Sequence, residues 1–434
     1  MKTIAVVGLG YVGIPVALKI ANSGTETIGI DIDKNKINLL NNSIYPIEGE
    51  EPGIVELLEK SIKLGKFVAT DNYYDAAHVD AWLVCVQTPF LVDEFKPNFN
   101  ALNGALKSIG ENMGKNCLVV IESTIPPGTM QDLVIPRLEK YSGFKVGLDF
   151  SVGHCPERVM PGKLLSNLSY YERALGGFDD KSHKLMIEVY SKITSGKLNK
   201  VNLKTAEVVK TFENTYRDVE IAIANDFAIY CDNVEVDFYE VRKLVNQVES
   251  RNLHLPGGVG GHCIPKDTWL LAYGSRNSYT PNFLLHAREV NDNMPKYISN
   301  KALEALSSIG QDIKNPKVSI LGLSYLEESD DVRNSPSEDL INNLKTKGVD
   351  NIYVHDSFVK EHKSINITHE LEEVLHNSDI LILMVRHSEY YNLDLEYIAE
   401  LMNNKIIIDT RNVFDTMSMK SLNFKYYSIG RGSN

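Results

Sequence analysis

In the segment GGVGGHCIPKD, residues 257–267, four glycines around one valine are followed by His262 and then by a cysteine, Cys263. The thiol of Cys263 can act as a nucleophile, and Lys266 and Asp267 can favour the thiolate and order its surroundings. The other four cysteines are widely spaced and form no CxxC pair. Cys85 and Cys117 lie in apolar runs that predict buried strands. Cys263 is therefore the cysteine whose setting indicates chemistry, and its glycines predict a loop kept clear for a substrate.

A second glycine-rich turn lies near the start of the sequence. Residues 8–13 read GLGYVG between an apolar strand pattern and a helical one. In such a turn Gly8 permits a tight bend, Gly10 lets the backbone approach a pyrophosphate, and Gly13 lets the helix pack closely on the strand. Asp31 ends the next apolar run, where a carboxylate accepts from a ribose 2′-hydroxyl and repels a 2′-phosphate. The turn and Asp31 together predict a site for NAD rather than NADP. The alternative interpretation is that the glycines only form a turn that begins a helix, without binding a cofactor.

Two further groups of polar residues could complete an active site. Lys210, Asn214 and Arg217 are spaced i, i+4 and i+7 in a helical pattern, so they share one face. The loop GHCPERVMPG, residues 153–162, adds Glu157. Lys210 alone is equally typical of a solvated face. Together with Cys263, however, the set supplies a nucleophile, donors for an oxyanion and a base. With a nicotinamide cofactor it suits oxidation through a thiohemiacetal to a thioester, followed by hydrolysis.

A zinc site is the competing interpretation of the cysteines. The dipeptide His-Cys occurs twice, at 154–155 and 262–263, and two such pairs could offer two thiolates and two imidazoles. Adjacent residues chelate one ion awkwardly, and the usual C-x₂₋₄-C and H-x₃₋₅-H spacings are absent from the sequence. We predict that the chain has no metal site.

Three segments of different pattern must position these groups. Residues 1–200 alternate apolar strands with helical patterns, which predicts a doubly wound parallel sheet. Residues 201–312 contain a long helix over 206–231, a shorter one over 237–248 and another long one over 283–307. Residues 313–434 alternate again. The predicted fold is α/β, with two Rossmann-like doubly wound parallel-sheet domains joined by a long-helix central domain that could form a dimer interface.

The composition excludes several classes of function. The 434 residues carry a net charge of −12, which argues against sequence-independent binding of nucleic acid. An anionic substrate remains compatible, because local arginines and helix N-termini bind phosphate whatever the global charge. No apolar run approaches the length of a membrane span, and the first one is interrupted by glycines. We therefore expect a cytoplasmic protein that binds neither membrane nor nucleic acid.

Motifs spread over the whole sequence resemble the UDP-glucose/GDP-mannose dehydrogenase family. They are GLGYVG, the Thr-Pro pair at 88–89, ESTIPPGT (122–129), CPERVMPG (155–162), EVVKTFENTYRD (207–218), GVGGHCIPKD (258–267) and GLSY with DDVRNSP (322–336). CPERVMPGK and KTFENTYRDVEIAIAN look most like the branch that acts on UDP-N-acetylhexosamines, and on UDP-N-acetyl-D-mannosamine in particular. The resemblance implies a four-electron oxidation of the sugar C6 alcohol to a carboxylate with two NAD⁺. It also implies a homodimer formed through the helical middle, with UDP held by the C-terminal domain.

The resemblance assigns roles to the matching positions. Cys263 would be the nucleophile, Lys210 the acid/base that also steadies the oxyanion, and Asn214 a donor to that oxyanion. Glu157 would assist the water or proton transfer in hydrolysis, and Asp267 would orient this machinery. Contacts to NAD are implied at Gly8, Gly10, Tyr11, Val12, Gly13, Asp31, Lys36, Thr88, Thr124 and Arg333. Contacts to the nucleotide sugar are implied at Arg158, Val159, Arg217, Arg251, Gly260 and Tyr325.

The sequence departs from the family pattern at two places. Leu326 stands where the family usually has a lysine, and QVESRNLHLPGG lacks a His-Pro-Arg and is one residue short before GVGG. Arg251, one register away, is a candidate for the missing arginine. Three hypotheses stay open: a UDP-N-acetylmannosamine 6-dehydrogenase, an enzyme for UDP-N-acetylglucosamine or UDP-glucose, and a nucleotide-sugar-binding protein without turnover. The intact set around Cys263 argues against the third, and the two departures argue weakly for it.

Overall fold

The computed structural model describes residues 1–47, 51–158, 163–309 and 315–432. The chain divides into two compact units. The first comprises Met1–Glu213 and Trp269–Thr280, and the second comprises Asn214–Thr268 and Pro281–Asn434. The chain therefore passes three times from one unit to the other. The division at residues 200 and 312 stays a prediction.

The first unit contains an eight-stranded sheet and a small two-stranded hairpin. Its strands are Thr3–Val7 (β1), Glu26–Ile30 (β2), Phe67–Thr70 (β3), Ala81–Val84 (β4), Phe90–Leu91 (β5), Lys96–Pro97 (β6), Leu118–Ile121 (β7), Ser151–His154 (β8), Arg173–Gly177 (β9) and Leu198–Asn202 (β10). The order in the large sheet is β10-β9-β8-β7-β4-β1-β2-β3. All its pairs are parallel except β8 with β9. The antiparallel pair was not foreseen, because no apolar run marks β9 in the sequence.

Helices cover the large sheet on both faces. Along β1, Ile4 and Val6 belong to one buried cluster, whereas Ala5 and Val7 belong to another. A strand buried on both faces is nearly continuously apolar, which explains the run Ile4–Val7 after Thr3 in β1. The helices that begin in this unit are Gly13–Asn22 (α1), Lys34–Asn41 (α2), Ile54–Lys63 (α3), Asn100–Asn112 (α4), Ile135–Ser142 (α5), Leu164–Tyr170 (α6), Asp180–Tyr190 (α7) and Leu203–Asn233 (α8).

The hairpin of β5 and β6 is covered by residues that come much later in the sequence. The rings of Phe90 and Trp269 stack at 6.3 Å, and Phe95 meets Trp269 edge-on at 6.2 Å. Tyr273 lies 6.3 Å from Phe90 and 6.4 Å from Phe95. Residues 269–280 therefore complete an aromatic cluster on the first unit.

Helix α8 confirms the predicted long helix and continues into the second unit. The helices that follow are Phe238–Val245 (α9), Ile264–Gly274 (α10), Asn282–Asp292 (α11), Met294–Ser307 (α12), Pro336–Thr346 (α13), Leu371–Leu375 (α14), Leu395–Leu401 (α15) and Thr416–Ser421 (α16). The single helix predicted over 283–307 is wrong, since α11 ends at Asp292 and α12 begins at Met294. Pro295 occupies the first turn of α12, where its missing N–H costs nothing but where it cannot continue α11.

The second unit contains a six-stranded sheet in which every pair is parallel. Its strands are Val318–Leu321 (β11), Ile352–His355 (β12), Ile367–Thr368 (β13), Ile380–Leu383 (β14), Ile406–Asp409 (β15) and Lys425–Ser428 (β16). Their order is β13-β12-β11-β14-β15-β16. With the first sheet and α8, this confirms the predicted α/β fold. Within the described ranges, no helix has the length and apolar character needed to cross a membrane.

Candidate active site

The turn between β1 and α1 needs glycine at two positions and is open at a third. Gly8 has a φ of 92°, and a Cβ there would lie 2.8 Å from the carbonyl oxygen of Cys85. A Cβ at Gly13 would overlap the carbonyl group of Gly8. Beside Gly10, in contrast, no atom of the described chain other than those of Leu9–Tyr11 lies within 4 Å of the position that a Cβ would take. The space beside Gly10, next to the N-terminus of α1, fits the pyrophosphate of a dinucleotide.

Asp31 follows β2 and is fixed at the same edge of the sheet. Its Oδ2 accepts from the N–H of Leu9 at 2.7 Å, and its Oδ1 accepts from the N–H of Asp33 at 3.0 Å. The ammonium of Lys36 lies 3.3 Å from Oδ2. Asp31 therefore ties the glycine turn to the end of β2. Its predicted contact with a ribose stays a prediction.

The predicted threonines follow β4 and β7, which are neighbours in the sheet. The buried hydroxyl of Thr88 donates to the carbonyl oxygen of Thr124 at 2.6 Å. This bond joins the two loops that leave the carboxyl ends of these strands. In a doubly wound sheet, ligands bind at that edge. Tyr11 and Val12 are half-buried in the turn that faces it.

Two carboxyl groups are buried at the carboxyl edge of the first sheet. Glu157 forms an ion pair with Arg173, whose Nη1 lies 2.6 Å from Oε2. Glu122 directly follows β7 and accepts from the hydroxyl of Tyr190 at 2.7 Å. Burial, and next the charge of Glu157, raise the pKa of Glu122 to about 7. The first unit thus holds one carboxylate in an ion pair and a second carboxyl group that takes up a proton near neutral pH.

Sequence reasoning found Glu157 but missed its partners. Glu122 lies within the motif ESTIPPGT and could have been singled out there. Arg173 lies in the stretch YYERALGG, which has no pattern that points to Glu157. The N–H of Arg158 also donates to Glu157, at 2.6 Å, and the Arg158 guanidinium reaches Glu213 at 2.7 Å. Val159 falls outside the described residues.

Helix α8 carries the predicted acid/base and the predicted amide one turn apart. Lys210 is buried in the first unit, with 8% of its surface exposed. Asn214 belongs to the second unit, and its Nδ2 lies 2.5 Å from Oδ2 of Asp267. Asp267 is fully buried, and its Oδ1 lies 2.8 Å from the ammonium of Lys266. The second unit therefore joins an amide, a carboxylate and an ammonium immediately after Cys263.

Cys263 is the exposed cysteine of the chain, whereas the other four are buried or partly buried. Its carbonyl oxygen accepts from the N–H groups of Lys266 and Asp267, at 3.1 and 3.0 Å, and so begins the first turn of α10. The N-terminus of a helix and a nearby ammonium both favour an anionic sulfur. Burial, followed by the charges of Lys266 and Arg333, lowers the pKa of His262 to about 4. The histidine before the thiol is therefore neutral at neutral pH.

The glycines before Cys263 are required by the close packing of their loop on residues 325–336. A Cβ at Gly258 would lie 2.5 Å from Cβ of Pro336, and one at Gly261 would lie 2.7 Å from the ring of Tyr325. At Gly260 it would lie 2.5 Å from Cβ of Tyr325 and 2.7 Å from the carbonyl oxygen of Asn334. These contacts give the glycines a role within the protein, and the expectation that they clear space for a sugar stays a prediction. The glycines let the loop pack on the segment GLSY…DDVRNSP.

That segment fixes the loop by hydrogen bonds as well. The carbonyl oxygen of Arg333 accepts from the N–H of Gly261 at 2.8 Å, and the Asn334 amide donates to the carbonyl of Gly261 at 3.0 Å. The Arg333 guanidinium pairs with Asp331 at 2.5 Å. Its predicted contact with NAD stays a prediction.

The two remaining arginines of the predicted substrate site lie at the surface of the second unit. Arg217 on α8 lies 2.8 Å from a ring nitrogen of His254. Arg251 is exposed, and its guanidinium contacts the hydroxyl of Ser250 at 3.0 Å. Among the residues that the structure describes, no group of three His, Cys, Asp or Glu side chains could hold a metal ion. His154 and Cys155, one of the two His-Cys pairs, are fully buried in the first unit.

Comparison with known proteins matches all three parts of one family. The NAD binding domain of the UDP-glucose/GDP-mannose dehydrogenase family matches residues 2–194, the central domain matches 204–293, and the UDP binding domain matches 319–416. The UDP-N-acetyl-D-mannosamine dehydrogenase of Pyrococcus horikoshii is 36% identical over 431 residues, which are 99% of each chain.

Two solved structures are similar over almost the whole chain. One is a UDP-D-ManNAc dehydrogenase from Pyrococcus horikoshii, with a TM-score of 0.92, 35% identity and full coverage of both chains. The other is an NDP-N-acetyl-D-galactosaminuronic acid dehydrogenase from Methanosarcina mazei Go1, with a TM-score of 0.89 and 36% identity, covering 99% of this chain and 95% of that one. This chain belongs to the UDP-glucose/GDP-mannose dehydrogenase family and is an NAD-dependent nucleotide-sugar 6-dehydrogenase.

Proposed function

We propose that this enzyme oxidises the C6 alcohol of UDP-N-acetyl-D-mannosamine to the uronate, with Cys263 as the nucleophile. The observation that carries the proposal is the exposed thiol at the start of α10, joined through Asp267 to the amide of Asn214. The similar proteins support the sugar class, since those described above are named for N-acetylated hexosamines or their uronic acids.

The proposed chemistry uses the residues as follows. When bound, NAD⁺ accepts a hydride in each of two oxidations. Lys210 takes the proton of the C6 hydroxyl as the alcohol becomes an aldehyde. The Cys263 thiolate then adds to the aldehyde carbon to give a thiohemiacetal, and the second oxidation gives a thioester. Water attacks the thioester, and the C–S bond breaks to release the carboxylate and the thiol.

Asn214 and Glu157 would act on the oxygen atoms of the reacting groups in these steps. The Asn214 amide, oriented by Asp267, would donate to the oxyanion that forms when sulfur or water adds to the carbonyl carbon. Glu157, held by Arg173, would accept a proton from the attacking water. In total, one alcohol, two NAD⁺ and one water give one carboxylate, two NADH and three protons.

The test is a count of NADH formed per acid, with purified enzyme, NAD⁺ and a panel of UDP-sugars. Two NADH per acid are expected with UDP-N-acetyl-D-mannosamine. Cys263→Ser should still bind both ligands, because the exposed side chain is nearly isosteric, but acid formation should fall by at least a thousandfold. One NADH per released aldehyde, or near-normal acid formation by Cys263→Ser, would defeat the covalent route. No NADH with any UDP-sugar would favour a binding protein without turnover.

The identity of the sugar is the second outcome of that panel. Leu326 replaces a lysine that the family usually carries, so one cationic contact to the substrate is missing. A higher kcat/KM for UDP-N-acetylglucosamine or UDP-glucose would replace the proposed sugar without changing the chemistry. Leu326→Lys gives a matched comparison, because it restores the usual residue at that position.

We also propose that the enzyme forms a homodimer through its helical middle, and we keep the three-domain division as a proposal. A stripe of apolar side chains is exposed along the part of α8 in the second unit, at Tyr216, Ile223, Phe227 and Tyr230, and Val234 directly after the helix is exposed as well. Apolar patches of this kind mark protein interfaces. Phe227→Asp should give monomers in light scattering. The control is Phe358→Asp, which alters a half-buried ring elsewhere in the second unit. An unchanged mass for Phe227→Asp would refute this interface.

A further inference from the structure

Four polar side chains that the proposed chemistry does not use are buried together in the second unit. Asp218 and Asn225 lie on α8, and Arg288 and Asn291 lie on α11. Each of them is at most 1% exposed. We call these four residues the polar strut. Burying a charged group costs free energy unless hydrogen bonds or an opposite charge compensate for the lost hydration, so this arrangement needs an explanation.

The strut is one continuous chain of hydrogen bonds. The Asn225 amide donates to Oδ1 of Asn291 at 2.8 Å, and the Asn291 amide donates to Oδ1 of Asp218 at 2.7 Å. The Arg288 guanidinium forms an ion pair with the same carboxylate. Burial raises the pKa of Asp218, while the charge of Arg288 and hydrogen bonds from Asn291 and Thr268 act in the opposite direction.

One end of the strut holds the residue that begins the glycine loop. Oδ1 of Asn225 accepts from the N–H of Gly257 at 2.7 Å, and its Nδ2 donates to the carbonyl oxygen of Gly257 at 3.1 Å. The side-chain amide thus pairs with both backbone groups of one residue, as a neighbouring strand would. Gly257 has a φ of 156°, and its position is fixed by this pairing.

The other end of the strut holds the residue that follows the proposed site. The hydroxyl of Thr268, which is 1% exposed, donates to Oδ2 of Asp218 at 3.0 Å. Thr268 comes directly after Asp267 in α10. Gly257 precedes Cys263 by six residues, and Thr268 follows it by five. The strut therefore forms hydrogen bonds to the Cys263 loop on both sides of the cysteine. These bonds connect both ends of the loop to α8, which also carries Asn214.

Stability alone is a weak explanation for this arrangement. Replacing a buried ion pair by apolar residues of similar volume is often neutral or stabilising, so such pairs are poor evidence for a stabilising role. A site in which a nucleophile must meet a carbonyl carbon is sensitive to displacements of about 1 Å, which can cost about a hundredfold in rate. Polar bonds with fixed geometry suit that requirement better than apolar packing.

We propose that the polar strut, through Asp218 and Asn225, positions the Cys263 nucleophile by fixing Gly257 and Thr268 on α8. The inference rests on the proposed role of Cys263. Asp218 and Asn225 are positioning residues, because they touch neither the sulfur nor a reacting atom. Their effect should appear in the chemistry of the thiol and in kcat rather than in the binding of NAD.

The test compares Asp218→Asn, Asn225→Ala and Thr268→Val with a matched control, Asp232→Asn. Asp232 also lies on α8, and its carboxylate accepts from Tyr297 and pairs with Lys301, at 2.5 and 2.7 Å. Asp232 is therefore a nearly buried carboxylate on the same helix, and both of these partners lie outside residues 257–268. Thr268→Val is the mildest change, since it keeps the shape of the side chain and removes one bond at the loop end.

Four quantities are measured for each variant: the rate of Cys263 alkylation by iodoacetamide, kcat for acid formation, KM for NAD⁺, and the midpoint of urea unfolding. The alkylation of Cys263→Ser is subtracted as background. We expect Thr268→Val to lower kcat three- to tenfold and Asp218→Asn to lower it ten- to a hundredfold. Alkylation rates should change in parallel while KM for NAD⁺ stays within twofold. Asp232→Asn should lower the unfolding midpoint but leave kcat and alkylation within twofold.

Two results would overturn the inference. Unchanged kcat and alkylation in a folded Thr268→Val and Asp218→Asn would show that the loop holds its position without the strut. A loss of kcat in Asp232→Asn that matches its loss of stability would show that the strut acts only on stability. Failure of the proposed function looks different, because Cys263→Ser would then keep acid formation whatever the strut variants do.

Discussion

Two of the three glycines in the GLGYVG turn, Gly10 and Gly13, should respond to the same substitution in opposite ways. Gly13→Ala would drive a methyl group into the carbonyl of Gly8, whose carbon would lie 3.0 Å away. The obstacle is backbone, so no rotamer change relieves it, and we expect a loss of at least about 3 kcal/mol, the upper end of ordinary overpacking. That is a large part of a typical stability of roughly 5–15 kcal/mol.

Gly10→Ala is the matched variant. Its methyl group would enter space in which no described atom outside Leu9–Tyr11 lies within 4 Å, so the free energy of unfolding should change by less than about 0.5 kcal/mol. The same methyl group would stand where a pyrophosphate approaches, so the Kd for NAD⁺ should rise at least tenfold, or about 1.4 kcal/mol.

Urea unfolding without cofactor and calorimetric titration with NAD⁺ separate the two effects. The expected pattern is a destabilised Gly13→Ala and a stable Gly10→Ala that binds NAD⁺ poorly. A Gly10→Ala enzyme with unchanged Kd would refute the location of the pyrophosphate. A Gly13→Ala enzyme with the unfolding midpoint of the wild type would refute the close approach of α1 to β1.

Three further substitutions test other parts of the site. Asp31→Asn should weaken NAD⁺ binding more than Asp33→Asn, which only exchanges one N-cap side chain of α2 for another. Equal Kd values in calorimetry would argue against a ribose contact. The pKa of Glu122 is raised from 4.5 to about 7, so between these values the folded chain keeps a proton that the unfolded chain releases. The protonated Glu122 therefore contributes its full stabilisation below pH 4.5, and this contribution is lost as the pH rises towards 7. Glu122→Gln should remove that decline in urea unfolding between pH 5 and 8, and an unaltered pH profile would contradict the shift. Gly260→Ala should cost about 1–3 kcal/mol through overlap with Tyr325, and normal stability in the same assay would show that the loop can move away.

Apolar patterning predicted most of the fold because most strands are buried on both faces. The runs in β4, β7 and β14 are apolar throughout, and β1 is apolar after Thr3, which leaves little choice of element. Strand β10 was not predicted, because its residues LNKVN are exposed or only partly buried and carry no such run. The break between α11 and α12 was missed because the helical spacing of apolar residues continues through Pro295.

The candidate site could be predicted as residue types but not as contacts. Cys263, Lys210 and Asn214 stand out by type and spacing, and a helix start after Cys263 was signalled by Pro265 and Asp267 in the first turn of α10. The pairing of Asn225 with Gly257 joins residues 32 positions apart, and no local pattern encodes it. The packing of the loop glycines on Tyr325 and Pro336 was missed for the same reason, because those partners lie more than 60 positions later in the sequence.

The interleaving of the chain between the two units has a consequence for protein synthesis. Phe90 is translated 179 residues before Trp269, which covers it in the finished first unit. At roughly 5–20 residues per second, the aromatic hairpin of a nascent chain waits about ten to forty seconds for its partner. During that interval the first unit is an incomplete domain with exposed rings, and a fragment that stops before residue 269 would remain so permanently. The first unit to leave the ribosome is therefore finished only after the first segment of the second, Asn214–Thr268, has been made.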